Sequence, residues 1–74
     1  MLNLRFDRSV QSGEFQKRVL RTITQLPFRY QEVVELVYLN GFSITETAFI
    51  TDSTINTVKT RLSFVEEKVN NAIQ

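Results

Sequence analysis

Apolar residues recur at helical spacing in four stretches of this chain, and the breaks between them carry residues that start and stop helices. From Glu14 to Thr24 the apolar positions Phe15, Val19, Leu20 and Ile23 fall at that spacing, while Glu14, Lys17, Arg18 and Arg21 lie mainly on other faces. A first helix is predicted there. Pro27 suits the opening turn of a second helix, because its missing N–H has no intrahelical partner at that position, and Gly41 suits the left-handed site just past the end. The second helix is expected over about 28 to 39. Its apolar residues Val33, Val34, Leu36, Val37, Tyr38 and Leu39 cover more than one stripe, which points to the centre of the core.

Ser43-Ile44-Thr45-Glu46 fits a capping box, so a short third helix is predicted over about 44 to 51. Asp52-Ser53 interrupts it. Thr54 can cap a fourth helix that meets neither proline nor glycine before about Ile73. In that helix Val58, Leu62, Val65 and Val69 gather into one stripe, with Ile55 and Ala72 at its edges. The opposite side holds Asn56, Thr60, Ser63 and Phe64, with Lys59 on one flank and Arg61 on the other. The stripe's alternating steps of three and four are also coiled-coil spacing, but so small a domain needs that surface for its own first helix. Residues 1 to 12 lack periodicity, and Ser12-Gly13 breaks the pattern, so they are expected to form an N-terminal arm or leading turn ahead of a domain over 13 to 74.

Composition narrows the chemistry. At 74 residues the chain is one small domain that can bury only about 60% of its unfolded surface. The absence of cysteine excludes disulfides and thiolate metal sites, and the absence of histidine removes the commonest metal ligand and general base. Two glycines leave no phosphate-cradling loop. No catalytic, cofactor-binding or metal-binding residues are expected, so the chain is not expected to be an enzyme. The apolar runs are too short to span a membrane, the first residues are too charged for a signal peptide, and a cytoplasmic protein is expected.

The net charge of +1 hides a polarity. Residues 1 to 31 carry six bases against two acids, residues 32 to 53 carry Glu32, Glu35, Glu46 and Asp52 with no base, and residues 54 to 74 carry three bases against two acids. One interpretation is an ordinary solvated surface; the other is a bipolar molecule that turns basic elements toward phosphate.

The spacing between Ala48 on the short helix and Val58 on the long one, across a two-residue break, suits two helices that cross closely in a helix-turn-helix. The long helix then lies in a major groove. Its outer face meets base edges, its flanking cations reach phosphates, and Asn56 is of the type that pairs with adenine. The alternative is a plain bundle helix whose Lys59 and Arg61 only solvate it.

The segment LPFRYQEVVELVYLNGFSITETA, followed by TVKTRLSFVEEKV, resembles region 4 of bacterial RNA polymerase sigma factors, most closely the extracytoplasmic-function type. The likeness runs from Leu26 to Val69 and rests on Leu26-Pro27, Gly41-Phe42-Ser43, Glu46, Ala48 and Thr57-Val58-Lys59-x-Arg61-Leu62. It implies a small all-α, four-helix domain with a C-terminal helix-turn-helix and no wing. It also implies a module that reads the upstream, minus-35 promoter element in duplex DNA and docks on the beta flap of the RNA polymerase core. By position, the DNA-side residues are Asn56, Thr57, Lys59, Thr60, Arg61, Ser63 and Phe64.

Three departures qualify that expectation. Asp52 stands where the family usually has glycine, and Thr47, Thr51 and Ser53 occupy positions expected to pack, so a looser junction is expected. Phe64, Glu66 and Glu67 stand where family members commonly carry bases, so DNA contact should be confined to the first two turns of the reading helix and weak on its own. The sequence also holds no region 2, which implies an excised domain or a protein that works with a separate region-2 subunit. A rival expectation keeps the fold but makes it a protein-interaction module, binding polymerase, a split-sigma partner or an anti-sigma factor without strong DNA binding of its own.

Overall fold

The computed structural model describes residues 13–73 as four helices: α1 (Gly13–Thr24), α2 (Phe28–Val34) running into a π-helical turn (Glu35–Leu39), α3 (Ile44–Ile50) and α4 (Ile55–Ile73). The arm expected over residues 1 to 12 lies outside the described residues. The four predicted helices are present, with α4 starting at Ile55 behind its Thr54 cap: the Thr57 N–H donates to Thr54 Oγ1 at 3.0 Å.

The α1–α2 corner is closed by one side chain. Gln31 Nε2 donates to the Leu26 carbonyl at 2.6 Å and to the Thr24 carbonyl at 3.2 Å, satisfying acceptors that the end of α1 leaves open. Pro27 is the N-cap of α2, and its carbonyl accepts from the N–H groups of Tyr30 and Gln31. At the other end, the Asn40 N–H and Nδ2 both donate to the Glu35 carbonyl at 3.0 Å. The Phe42 N–H reaches Leu36 O across Gly41, whose φ of 75° is the left-handed conformation expected of it.

That closure is one residue wider than the usual helix stop, and it changes which side chains are buried. A π-helical turn advances less than 100° per residue, so the side chains after Glu35 drift off the inward stripe. Val33 and Val34 are buried, whereas Tyr38 and Leu39 are 37% and 78% exposed. The centre of the core is therefore not α2, as the run of apolar residues led one to expect, but α4, against which α1, α2 and α3 all pack.

The four central residues of the stripe predicted on α4 are buried, while Ile55 at its edge is 44% exposed, and the stripe serves two clusters. Val58 and Leu62 meet Val33 and Ala48, with Val37 and Ile44 against them; Val65 and Val69 meet Val19 and Val34, bordered by Phe15, Ile23, Leu26, Tyr30 and Ile73. The neighbouring residues Val33 and Val34 thus divide between the clusters and hold α3 and α1 on the same helix. Leu20, expected with the apolar positions of α1, is 62% exposed instead, since Phe15, Val19 and Ile23 suffice to cover Val65 and Val69.

The capping box at α3 is complete: Ser43 Oγ accepts from the Glu46 N–H at 3.0 Å, and Glu46 Oε1 accepts from the Ser43 N–H at 2.9 Å. The Ser43 N–H and then its hydroxyl hold the Glu46 carboxyl below the usual carboxylate range. A carboxyl with a lowered folded-state pKa adds stability above its unfolded pKa, and that stability disappears as pH falls through the folded value. Thermal melts of Glu46→Gln should accordingly show a flatter loss of midpoint on acidification than the parent; parallel acid limbs would rule out a charged cap.

Thr47 is fully buried, yet its Oγ1 has no hydrogen-bond partner among the described residues. A buried hydroxyl left unpaired costs about 1–3 kcal/mol. Thr47→Val, which keeps the branched shape, is expected to raise unfolding free energy by about 1 kcal/mol in chemical denaturation. A lower value for the variant would mean the hydroxyl has a partner after all.

Candidate nucleic-acid interface

The junction between α3 and α4 sets the crossing of the two helices. Asp52 takes φ 53°, the left-handed position at which the family usually has glycine, and a short polar side chain tolerates it better than most. The Ser53 N–H donates to Ala48 O at 2.9 Å, Thr51 Oγ1 to Thr47 O at 2.8 Å, and the hydroxyls of Thr51 and Ser53 lie 2.7 Å apart. The hydroxyls of Thr51 and Ser53 thus help tie the turn, whereas that of Thr47 has no partner among the described residues.

With Val58, Leu62, Val65 and Val69 facing the core, helical geometry puts Asn56, Thr60, Ser63 and Glu67 on the outward face of α4. All four are exposed. The face continues as an open depression bounded by Ser63, Glu66, Glu67, Asn70 and Asn71. Lys59 is exposed on one flank and Arg61 half-buried on the other. Among the described residues neither cation is in an ion pair; the two pairs present are Arg18 with Glu14 and Arg29 with Glu32. Thr57 is half-buried in the first turn, and its hydroxyl accepts from Thr54 Oγ1 at 2.9 Å.

Phe64 is placed differently from the expectation. The spacing puts it with Asn56 and Thr60 on the outward side, but it is half-buried, and its ring centroid lies 4.5 Å from that of Tyr30. It sits at the margin of the outward arc, where α2 can lean a tyrosine onto it. Lys68 completes the stack, with Nζ 5.3 Å from the Phe64 centroid. Lys68 enters the sequence reading only through the charge balance, and its position seven residues after Arg61 is the signal that places it on the same flank.

The bipolar charge layout is also resolved. The side of α1 bearing Phe15, Val19 and Ile23 covers Val65 and Val69, so the exposed Lys17 and Arg21 point away from α4. Lys17 and Arg21 of α1 and the outward face of α4 therefore look in opposite directions, and among the described residues the cations beside that face are those of α4 itself. On the remaining sides, Phe49 is 89% and Ile50 49% exposed, flanking Glu46 on the outer face of α3.

Among the described residues no group of acidic, histidine or cysteine side chains can hold a metal ion, and no helix is long and apolar enough to cross a membrane. Comparisons with curated proteins and with solved structures returned no match. The family model for Sigma-70, region 4, in contrast, matches residues 16–69. That span takes in all of α2, α3 and the junction, together with most of α1 and α4. The resemblance drawn from the residues between Leu26 and Val69 is thereby borne out, as is the small all-α helix-turn-helix fold, and this chain belongs to the sigma-70 region 4 family of DNA-binding, RNA polymerase-interacting transcription modules.

Proposed function

We propose that the domain reads a minus-35-type promoter element in duplex DNA through the first two turns of α4, with Lys59 and Arg61 on phosphates and Asn56, Thr60 and Ser63 at base edges. The observation that carries this is the exposed polar stripe directly opposite a buried one, flanked by two cations that pair with no acid among the described residues and set behind a capped short helix by a left-handed turn. Thr57 contributes by holding the first turn through Thr54. Phe64 supports the flank of α4 through its ring contact with Tyr30. An NMR titration with promoter duplex should move the Asn56 to Ser63 amides first, and a titration that moves only α3 would overturn the assignment.

With so few cations on α4, the second half of the function is docking on RNA polymerase, for which the beta flap is the expected site. The outer face of α3 is the surface offered: Phe49 and Ile50 are apolar and exposed, and the acids Glu46 and Asp52 around them disfavour phosphate. An anchor of this kind commonly accounts for about 2 kcal/mol or more of binding. Phe49→Ala is therefore expected to weaken binding of a beta-flap fragment by about 30-fold or more, without changing DNA affinity. The same surface supports a second reading, in which the domain binds polymerase, a region-2 subunit or an anti-sigma factor and barely touches DNA; flap binding with no shift of any α4 amide by DNA would favour it. Action in the cytoplasm, where polymerase works, belongs to either reading.

A further inference from the structure

Two pairs of residues seven positions apart run along the flanks of α4. Seven residues make two turns less about 20°, so Arg61 and Lys68 share one flank, and Lys59 and Glu66 share the other. The flanks start alike, each with a cation, and end with opposite charge.

The surroundings of each flank agree with these placements. On the first flank, Tyr30 from the start of α2 stacks on Phe64, and Phe64 in turn seats the Lys68 ammonium at 5.3 Å. On the second, Glu66 is half-buried and borders the open depression with Ser63 and Asn70, the residues that helical geometry puts next to the Lys59 flank. Neither Lys68 nor Glu66 is in an ion pair among the described residues. Lys68 is exposed, and the ring beneath it limits the directions its amine can take.

We propose that Lys68 is a third phosphate anchor, acting with Arg61 along one DNA strand, and that Glu66 keeps the opposite strand at a distance beyond Lys59, so that the reading helix is held asymmetrically. This rests on α4 being the DNA-reading helix and adds which strand holds its second half. Arg61 and Lys68 are separated by about 10 Å along the helix axis, and the outward Glu67 between the flanks cannot substitute for either cation. The C-terminal half of α4 then leans to the Arg61 side, away from the wall where a carboxylate would meet phosphate.

The test is a fluorescence anisotropy titration of a promoter duplex at several salt concentrations. Lys68→Ala and Lys68→Gln, the latter keeping the stem over Phe64, should each weaken binding to every sequence alike and lower the salt slope by about 1. Glu66→Lys should raise the slope by about as much. Duplexes with methylphosphonate linkages in one strand then locate the contact: the strand whose neutralisation erases the effect of Arg61→Ala must also be the one that erases the effect of Lys68→Ala. Circular dichroism of each variant separates lost contact from lost helix. If the Lys68 variants keep the parent slope while Lys59→Ala/Arg61→Ala lowers it, the asymmetric grip is wrong and the reading helix stands. If neither lowers it, α4 is not the DNA-binding element, and both proposals fall.

Discussion

The Lys59→Ala/Arg61→Ala double variant is expected to lose measurable binding to promoter duplex at moderate salt. Hydrogen bonds to a charged partner contribute about 1.5–3 kcal/mol each, so removing two phosphate contacts should weaken binding on the order of 10² to 10⁴-fold. The salt slope should fall by about 1.8, since each neutralised phosphate contributes about 0.9. The loss should be this large. It is expected here because α4 carries only Lys59, Arg61 and Lys68 as cations, and because the bases of α1 face the other way. Neither side chain is buried, and alanine favours helix, so the fold should persist. Equal affinity of variant and parent at low salt would remove α4 as the reading helix.

Leu62→Ala is expected to have the largest effect on the fold itself. Leu62 is 4% exposed and packs among Val33, Ala48 and Val58, where it joins α2, α3 and α4. Truncating a buried leucine costs about 2–5 kcal/mol. A domain of 74 residues has in total only about 4–11 kcal/mol of stability, so the variant should be partly unfolded at physiological temperature. Urea denaturation followed by circular dichroism measures this. Leu20→Ala, at a side chain 62% exposed on α1, should by contrast shift the midpoint little. A Leu62→Ala loss as small as that of Leu20→Ala would mean that the α3–α4 junction does not depend on this cluster. The loss should extend to DNA binding, because Leu62 holds α3 against the helix whose next residue outward is Ser63.

These two expectations draw on different amounts of structural information. The buried stripe of α4 was readable because its four aliphatic residues repeat at the helical period with no competing pattern. The capping box, Gly41 and the left-handed Asp52 were readable because each bond or dihedral involved spans only a few residues. Phe64 was not. Its spacing from Asn56 and Thr60 placed it near the outward face, and what decides its role is Tyr30, thirty-four residues earlier in the chain. Periodicity specifies which side of a helix faces away from the core, but not whether another helix leans a side chain over the margin.

The π-helical turn shows a second limit. Six apolar residues between Val33 and Leu39 indicate a helix wrapped by its neighbours, yet the wide closure at Asn40 to Phe42 turns Tyr38 and Leu39 outward. That closure depends on which carbonyls the Asn40 and Phe42 amides reach.

By itself the sequence determined the number of helices, their caps and breaks, the stripe on α4 that faces inward, and the family to which the segment belongs. All of these follow from interactions within one or two turns of chain, where residue type and spacing dictate the geometry. Only the tertiary structure decided that α4 is the central helix, that Tyr30 leans on Phe64, and that the basic side of α1 looks away from the outward face of α4. Those are contacts between residues distant in sequence, set by how three helices share the surface of a fourth, and no local pattern of apolar and polar positions encodes them.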